Sequence, residues 1–299
     1  MRYLETFGLL TENMEQGFFR SFPRTCFTNY YPFRFFPNRL QWLEFEDITI
    51  FCGSNGSGKS TLLNIIAEKL KLKRDTPYNK TYFFDPYINM CNYFLNVQKK
   101  EEMRNFMSVS RIITSDDVFD NLIKVRHRNE NIDFKRQIIF DEKSEFYRYG
   151  EYKGPLGFNA DDPESIREMR DYYDMTRLSA SQYVKRKIGE EERTYSNGEN
   201  GFRLFTDAIQ PGGLYLLDEP ENSLSPEMQL QLTQFLSSMA RFYNCQFVIA
   251  THSPFILSIP HAKIYNMDEY PVKVCKWTEY KNVRVYYNFF KQHKAEFDD

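Results

Sequence analysis

The stretch Ile48–Thr61 reads ITIFCGSNGSGKST, an apolar run followed by closely spaced glycines and then Lys59, Ser60 and Thr61. The spacing is G-x-x-x-x-G-K-[ST], carried by Gly53, Gly58, Lys59 and Ser60. Glycines let successive backbone N–H groups turn inward around phosphate oxygens, and a helix starting behind them adds a favourable dipole. The expected phosphate contacts are therefore Gly53, Ser54, Asn55, Gly56, Ser57, Gly58, Lys59, Ser60 and Thr61. Lys59 would reach the β- and γ-phosphates of a nucleotide, and the Ser60 hydroxyl would ligate Mg²⁺.

Three further stretches carry chemistry of the same kind. Leu214–Glu221 reads LYLLDEPE, an apolar strand ending in two carboxylates. In an open α/β sheet such a strand delivers them beside the phosphate loop. Asp218 then fits as the second Mg²⁺ partner and Glu219 as the base that orients an attacking water. Gln246–Pro254 reads QFVIATHSP, so His252 leaves another buried strand at the same edge, where it could polarise a γ-phosphate. Tyr195–Gly201 reads YSNGENG and precedes a helical pattern, which makes a second anion-binding terminus from Ser196, Asn197 and Gly198.

These residues need a scaffold that brings strand ends together. Leu214–Leu217 and Phe247–Ala250 are short continuous apolar runs, the pattern of parallel strands buried on both faces, and Ile48–Cys52 reads as a strand joined to Leu40–Phe45 by the acidic turn Glu46-Asp47. Leu62, Leu63, Ile65, Ile66 and Leu70 keep helical spacing behind the glycine loop. Leu232, Phe235, Leu236 and Met239 do so behind Ser225-Pro226, which completes a strand–helix–strand unit. Leu40–Phe45 reads as another strand, and Ala262–Asp268 with Val272–Thr278 as a closing hairpin. Residues 18–36, FFRSFPRTCFTNYYPFRFF, favour short strands of an N-terminal β layer, with one ring available to stack on adenine. Residues 118–195 are the most polar part. Asp162-Pro163 starts a helix there whose face holds Ile166, Met169 and Tyr173, and the region reads as an inserted helical lobe. The expected fold is α/β: a P-loop nucleoside-triphosphatase with a mixed central sheet, an N-terminal antiparallel β layer and that lobe. Its expected divisions are residues 1–117, 118–195 and 196–299.

Phosphate loop, S-x-G-E, apolar-DEPE, S-L-S-P and A-T-H-S-P occur here in the order found in ABC-type ATPases, and the chain resembles their soluble SMC, repair and OLD-like branch. The likeness is strongest to small bacterial ATPases with DEPE and ATHSP motifs, across Pro32–Leu63, Ser196–Glu199, Gly213–Pro226 and Gln246–Pro254. It implies the cofactors ATP and Mg²⁺, with metal held by Ser60 and Asp218, and Glu219, His252 and Lys59 as catalytic groups. It also implies a head-to-tail homodimer in which Ser196, Asn197 and Gly198 of one copy close the phosphate site of the other, with Ser223–Pro226 at the contact. Two departures stand out. SNGE replaces a leucine-initiated signature, and no glutamine marks the magnesium-sensing loop. Ile112–Asn121, IITSDDVFDN, holds that place, with Ser115 or Asp116 as the substitute.

Composition bounds the rest. The chain has 299 residues, formal net charge −2 and 17% aromatic residues, which argues against disorder and against a uniformly basic nucleic-acid coat. Arg111, Lys124, Arg126, His127 and Arg128 form the densest basic stretch, which leaves nucleic acid open as a partner. The five cysteines form no C-x-x-C pair and read as buried thiols. No signal peptide is expected, and no window approaches the roughly 20 apolar residues of a membrane helix. The expected setting is the cytoplasm. There the ATPase would drive or regulate a separately encoded effector such as a nuclease or toxin, in DNA maintenance or anti-phage defence. The alternative is the nucleotide-binding subunit of a membrane transporter, against which the signature and the S-L-S-P loop count. A third reading is an ATP-dependent switch with little turnover.

Overall fold

The computed structural model describes residues 2–22, 27–97, 99–149, 162–188 and 197–297. Among them two compact units form: residues 1–120 with 196–299, and residues 121–195.

The larger unit holds two sheets. In chain order its elements begin with β1 (Leu4–Gly8), α1 (Glu12–Ser21), β2 (Trp42–Glu44), β3 (Ile48–Cys52) and α2 (Lys59–Leu70). There follow α3 (Phe84–Met90), β4 (Asn92–Leu95), α4 (Lys100–Val109) and β5 (Arg111–Thr114). Next comes α5 (Ser115–Tyr149), whose first residues belong to the larger unit and the rest to the smaller. The smaller unit adds α6 (Pro163–Arg177) and α7 (Ala180–Lys187). The chain then returns through α8 (Asn197–Ala208), β6 (Leu214–Asp218), α9 (Pro226–Phe242), β7 (Gln246–Ala250) and α10 (Pro254–Leu257). It closes with β8 (Lys263–Asn266), β9 (Lys273–Val274) and α11 (Lys281–Gln292).

The main sheet runs β5-β6-β7-β3-β8-β9, parallel except for the last pair. Its register is what builds the site. Thr114 pairs with Asp218, Asp218 with Ala250, and Ala250 with Phe51, so four strands end in one row. All five residues of β3 and of β7 are buried, the polar Thr49 and Gln246 included. α2 buries Leu62, Leu63, Ile65, Ile66 and Leu70 against the larger unit's core. Ser225 caps α9 by accepting from the Met228 N–H, with Pro226 at the first helical position. β8 and β9 form the expected hairpin in shorter form.

The second sheet is antiparallel, in the order β2-β1-β4. Buried side chains of the main sheet reach it: on β8 the Tyr265 hydroxyl accepts from the Glu44 N–H and donates to the Glu44 carbonyl, and on β7 Gln246 bonds to four backbone groups. Gln246 Oε1 accepts from the Tyr3 and Leu4 N–H groups, and its Nε2 donates to the Leu4 and Glu46 carbonyls. All four partners are backbone groups that a buried loop crossing would otherwise leave unpaired.

The β layer is present, but the aromatic stretch does not build it. Its first residues lie in α1, capped by the Thr11 side chain, and Tyr31–Asn38 form turns; residues 23–26 lie outside the described part. Phe18 stacks on Phe33 at 4.6 Å, and Phe19 packs edge-on to Tyr30. The helix wins because Thr11 with Glu12 and Glu15 behind it is a cap and acidic first turn, and Phe18, Phe19 and Phe22 then fall on its inner side. Leu40–Phe45 shortens to β2, which belongs to a different sheet from β3.

In the smaller unit, Asp162 caps α6 as expected, accepting from the Glu164 and Ser165 N–H groups. The predicted apolar face is not its packed one. Ile166 and Tyr173 are exposed, while Met175 and Asp174 are buried, the latter paired with Arg186 at 2.8 Å. No described helix is long and apolar enough to cross a membrane.

Candidate nucleotide-binding site

The glycine loop sits between β3 and α2. Gly56 and Gly58 have φ of 80° and 97°, a conformation that side chains resist, and a Cβ on Gly58 would collide with the Phe35 ring. The loop is held from three directions. Lys59 Nζ donates to the carbonyls of Gly53 (2.8 Å) and Ser54 (3.2 Å). Both the N–H and the hydroxyl of Ser54 donate to Asp268 Oδ1 at 2.7 Å. The Tyr31 hydroxyl donates to Thr61 Oγ1 at 2.9 Å. Burial lowers the pKa of Lys59, opposed by the nearby Glu219 and Asp218 carboxylates. Ser57 Oγ is buried with no partner among the described residues.

The register of β3, β6 and β7 delivers the other groups. Ser60 Oγ donates to Asp218 Oδ1 at 2.9 Å. Burial pushes the Asp218 carboxyl up to about 6, although the Ser60 hydrogen bond and Lys59 pull it back. Glu219 takes a left-handed conformation, φ 47°, with its N–H donated to the Ala250 carbonyl. Strain of this kind concentrates at working sites. Its Oε1 lies 3.1 Å from His252 Nε2, and its Oε2 accepts from Asn222 Nδ2 at 2.9 Å. The His252 hydrogen bond, with help from Asn222, holds the Glu219 carboxyl down at about 2. Two neighbouring carboxylates are thus driven in opposite directions.

Glu221 and Asn222 lay outside the sequence reading. Glu221 Oε1 accepts from Thr251 Oγ1 (2.7 Å), the His252 N–H (2.5 Å) and the Ser253 N–H (3.2 Å). Burial raises its pKa. The only signal in the sequence was a third carboxylate three positions after Asp218.

At the tip of β5, Ser115, one of the two expected substitutes, is half-buried. Asp116 is exposed, and the residue paired beside Asp218 is Thr114. Thr114 donates its N–H (2.7 Å) and hydroxyl (3.0 Å) to Asp117 Oδ2, and its Oγ1 lies 3.2 Å from Thr76 Oγ1. Asp117 is 6% exposed, and its Oδ1 has no partner among the described residues. T-x-x-D at a helix start is a reciprocal cap, which turns the third residue inward and leaves the second in solvent.

Ser196 lies outside the described residues. Asn197 and Gly198 open α8, whose Gly201 packs against Ser223 and Leu224, the latter two just before α9. Nothing among the described contacts joins them to the phosphate loop.

Hard oxygen donors side by side, a hydroxyl and a carboxylate, suit Mg²⁺, which takes one or two protein oxygens and completes its shell with water and phosphate. The narrow glycine cradle and the orphaned Ser57 hydroxyl suit a polyphosphate. Ser60, Asp218, Glu219 and His252 therefore come together around the loop as the sequence placed them.

Residues 113–258 match the family model described as "AAA domain, putative AbiEii toxin, Type IV TA system". The matched stretch opens at β5 and includes Asp218, Glu219, Glu221 and His252; the phosphate loop precedes it. That match spans 146 of the 299 residues, a little under half of the chain. No curated protein matches it. Among solved structures, the chain is similar to an Smc head domain with an extended coiled coil, bound to the C-terminal domain of ScpA, from Pyrococcus furiosus. Identity there is 13%, TM-score 0.42, covering 98% of this chain and 100% of that one. An SMC head domain from Thermotoga maritima gives 13% and 0.37, covering 92% and 99%. A dimeric ATP-binding cassette bound to ADP and Pi gives 15% and 0.36, covering 81% and 92%. Likenesses this distant add nothing to the reading of the site.

Proposed function

We propose that this protein binds ATP with Mg²⁺ at Gly53–Thr61 and hydrolyses it. The observation that carries the reading is the convergence of three strand ends, with Ser60 2.9 Å from Asp218 and Glu219 3.1 Å from His252. Backbone N–H groups of the loop and Lys59 hold the β- and γ-phosphates, and Lys59 exchanges its bonds to the Gly53 and Ser54 carbonyls for phosphate oxygens. Ser60 and Asp218 would hold the metal, which would supply positive charge to offset the negative charge of the phosphates. Glu219 remains ionised at neutral pH and orients the attacking water, while His252 holds Glu219 and faces the γ-phosphate. Asn222 shares the Glu219 carboxylate and must yield if water is to take that oxygen.

In this reading the site is composite: a head-to-tail homodimer completes it with Ser196, Asn197 and Gly198 of the second copy. Residues 1–117 and 196–299 form the ATPase lobes and residues 118–195 an inserted helical lobe. The family's description, naming a toxin of a Type IV TA system, supports a cytoplasmic role in defence beside a separately encoded effector. Nucleic acid contact falls to the basic stretch Lys124–Arg128.

The test is Mg²⁺-dependent turnover of ATP by wild type and Glu219→Gln. Wild-type turnover that the variant loses supports the assignment. Equal turnover in both removes Glu219 as the base, and no wild-type turnover or nucleotide affinity removes the ATPase reading.

A further inference from the structure

The second glutamate of DEPE has no role in holding phosphate, metal or water, yet one of its oxygens gathers three donors from a single loop. Thr251, His252 and Ser253 follow directly on β7, and all three point a hydroxyl or an N–H at Glu221 Oε1. Successive backbone N–H groups turned toward one carboxylate oxygen form an anion nest. The same loop is fixed at its flanks. The Thr251 N–H donates to the Phe51 carbonyl on β3, and Ser253 Oγ donates at 2.6 Å to Gln229 Oε1 on α9. Glu221 therefore ties the backbone of this loop to the segment after β6, two residues from Glu219. The imidazole of His252 projects from the clamped segment and reaches Glu219 Oε1. Removing the carboxylate leaves the His252 N–H and the Thr251 hydroxyl without this acceptor in a partly buried place; the Ser253 N–H keeps Thr251 Oγ1 at 3.0 Å, and the bond left between the loop and the end of β6 among the described hydrogen bonds is that of the His252 imidazole itself.

We propose that Glu221 is a positioning residue of the catalytic centre: by accepting from Thr251, His252 and Ser253 it fixes the His252 imidazole against Glu219. The proposal rests on the ATPase reading above. It makes no claim on nucleotide affinity, because Glu221 touches neither the phosphate loop nor Ser60 and Asp218.

A double-mutant cycle tests it, with full-length wild type, Glu221→Ala, His252→Ala and the double variant. The measurements are kcat and KM for Mg-ATP, affinity for a fluorescent ATP, and a thermal melt of each protein. A residue acting through His252 gives a kcat loss of about tenfold or more in Glu221→Ala with affinity within about twofold of wild type, and adds no further loss in the His252→Ala background. Glu221→Gln, which keeps a carbonyl acceptor, recovers most of kcat. Multiplying losses in the double variant, unchanged kcat in Glu221→Ala, or an affinity loss at constant kcat each overturn the proposal. Should Glu221→Ala melt as an unfolded protein, Thr251→Val takes its place in the cycle, removing one donor at equal size. It is then expected to lower kcat about threefold in wild type and not at all beside His252→Ala. Absence of wild-type turnover instead defeats the ATPase reading itself and is told apart on that ground.

Discussion

Asp218 and Glu219 are adjacent in sequence and opposite in electrostatics, and each makes a prediction. Glu219, held at about 2 by His252, is ionised across the working range. Glu219→Gln keeps the size and the Asn222 contact but loses the charge that orients water, so kcat should fall by about 100-fold or more while nucleotide affinity is retained. Steady-state turnover and nucleotide titration check it together. Asp218 is raised by burial to about 6, so in the folded protein its ionisation is costly. A raised carboxyl favours the native state at low pH and loses that benefit as pH climbs through its folded value. Without nucleotide, Asp218→Asn should therefore melt above wild type at pH 8. The advantage should shrink as pH falls through 6 and vanish near 4, which a series of thermal melts reads directly. Residue by residue, the sequence exposed the phosphate loop, Asp218, Glu219 and His252, because each follows an apolar run that must be a strand. It hid Glu221, whose partners are backbone N–H groups of a loop some 30 residues away, a relation no spacing rule encodes. It hid Asp117 for a smaller reason: which of three consecutive polar residues turns inward depends on the cap formed by Thr114.

Strands and helices place these groups, and two substitutions probe how. Gly58 caps α2 at φ 97° with Phe35 packed where a Cβ would stand. Gly58→Ala combines backbone strain of about 1–3 kcal/mol with a clash, and should lose nucleotide binding along with stability. Calorimetric titration and a melt distinguish the two losses. Gln246 is fully buried and serves four backbone groups of the neighbouring segments. Gln246→Leu strands those groups and should cost roughly 2–4 kcal/mol, seen as a lower denaturation midpoint with an unchanged slope. Periodicity disclosed β3, β6, β7, α2 and α9, since buried parallel strands and amphipathic helices write their environment into consecutive residues. It misread residues 18–36, where aromatic composition argued for strands and the cap at Thr11 argued for the helix that forms. Composition is a weak guide where rings pack between layers, because a core helix and a core strand welcome the same side chains.

For the molecule as a whole the prediction is assembly. With Mg-ATP, Glu219→Gln should double in mass by light scattering, because a site that cannot turn over keeps the second copy engaged. Gly198→Asp, which sets a carboxylate where the partner's γ-phosphate is expected, should stay at monomer mass and still bind nucleotide. A mass that ATP never changes counts against the composite site. The clasp between Asp268 and Ser54 carries a consequence for handling the chain. Asp268 lies more than 200 residues after the loop it grips, and Tyr280, 1% exposed, approaches its other oxygen. A trimmed version ending after α10 would keep every sequence motif named above and still lose the anchor of its glycine loop. Boundaries for expression, tags and proteolytic trimming therefore belong beyond α11, and a motif-complete fragment that fails to bind nucleotide would be reporting a missing tail, not a missing activity.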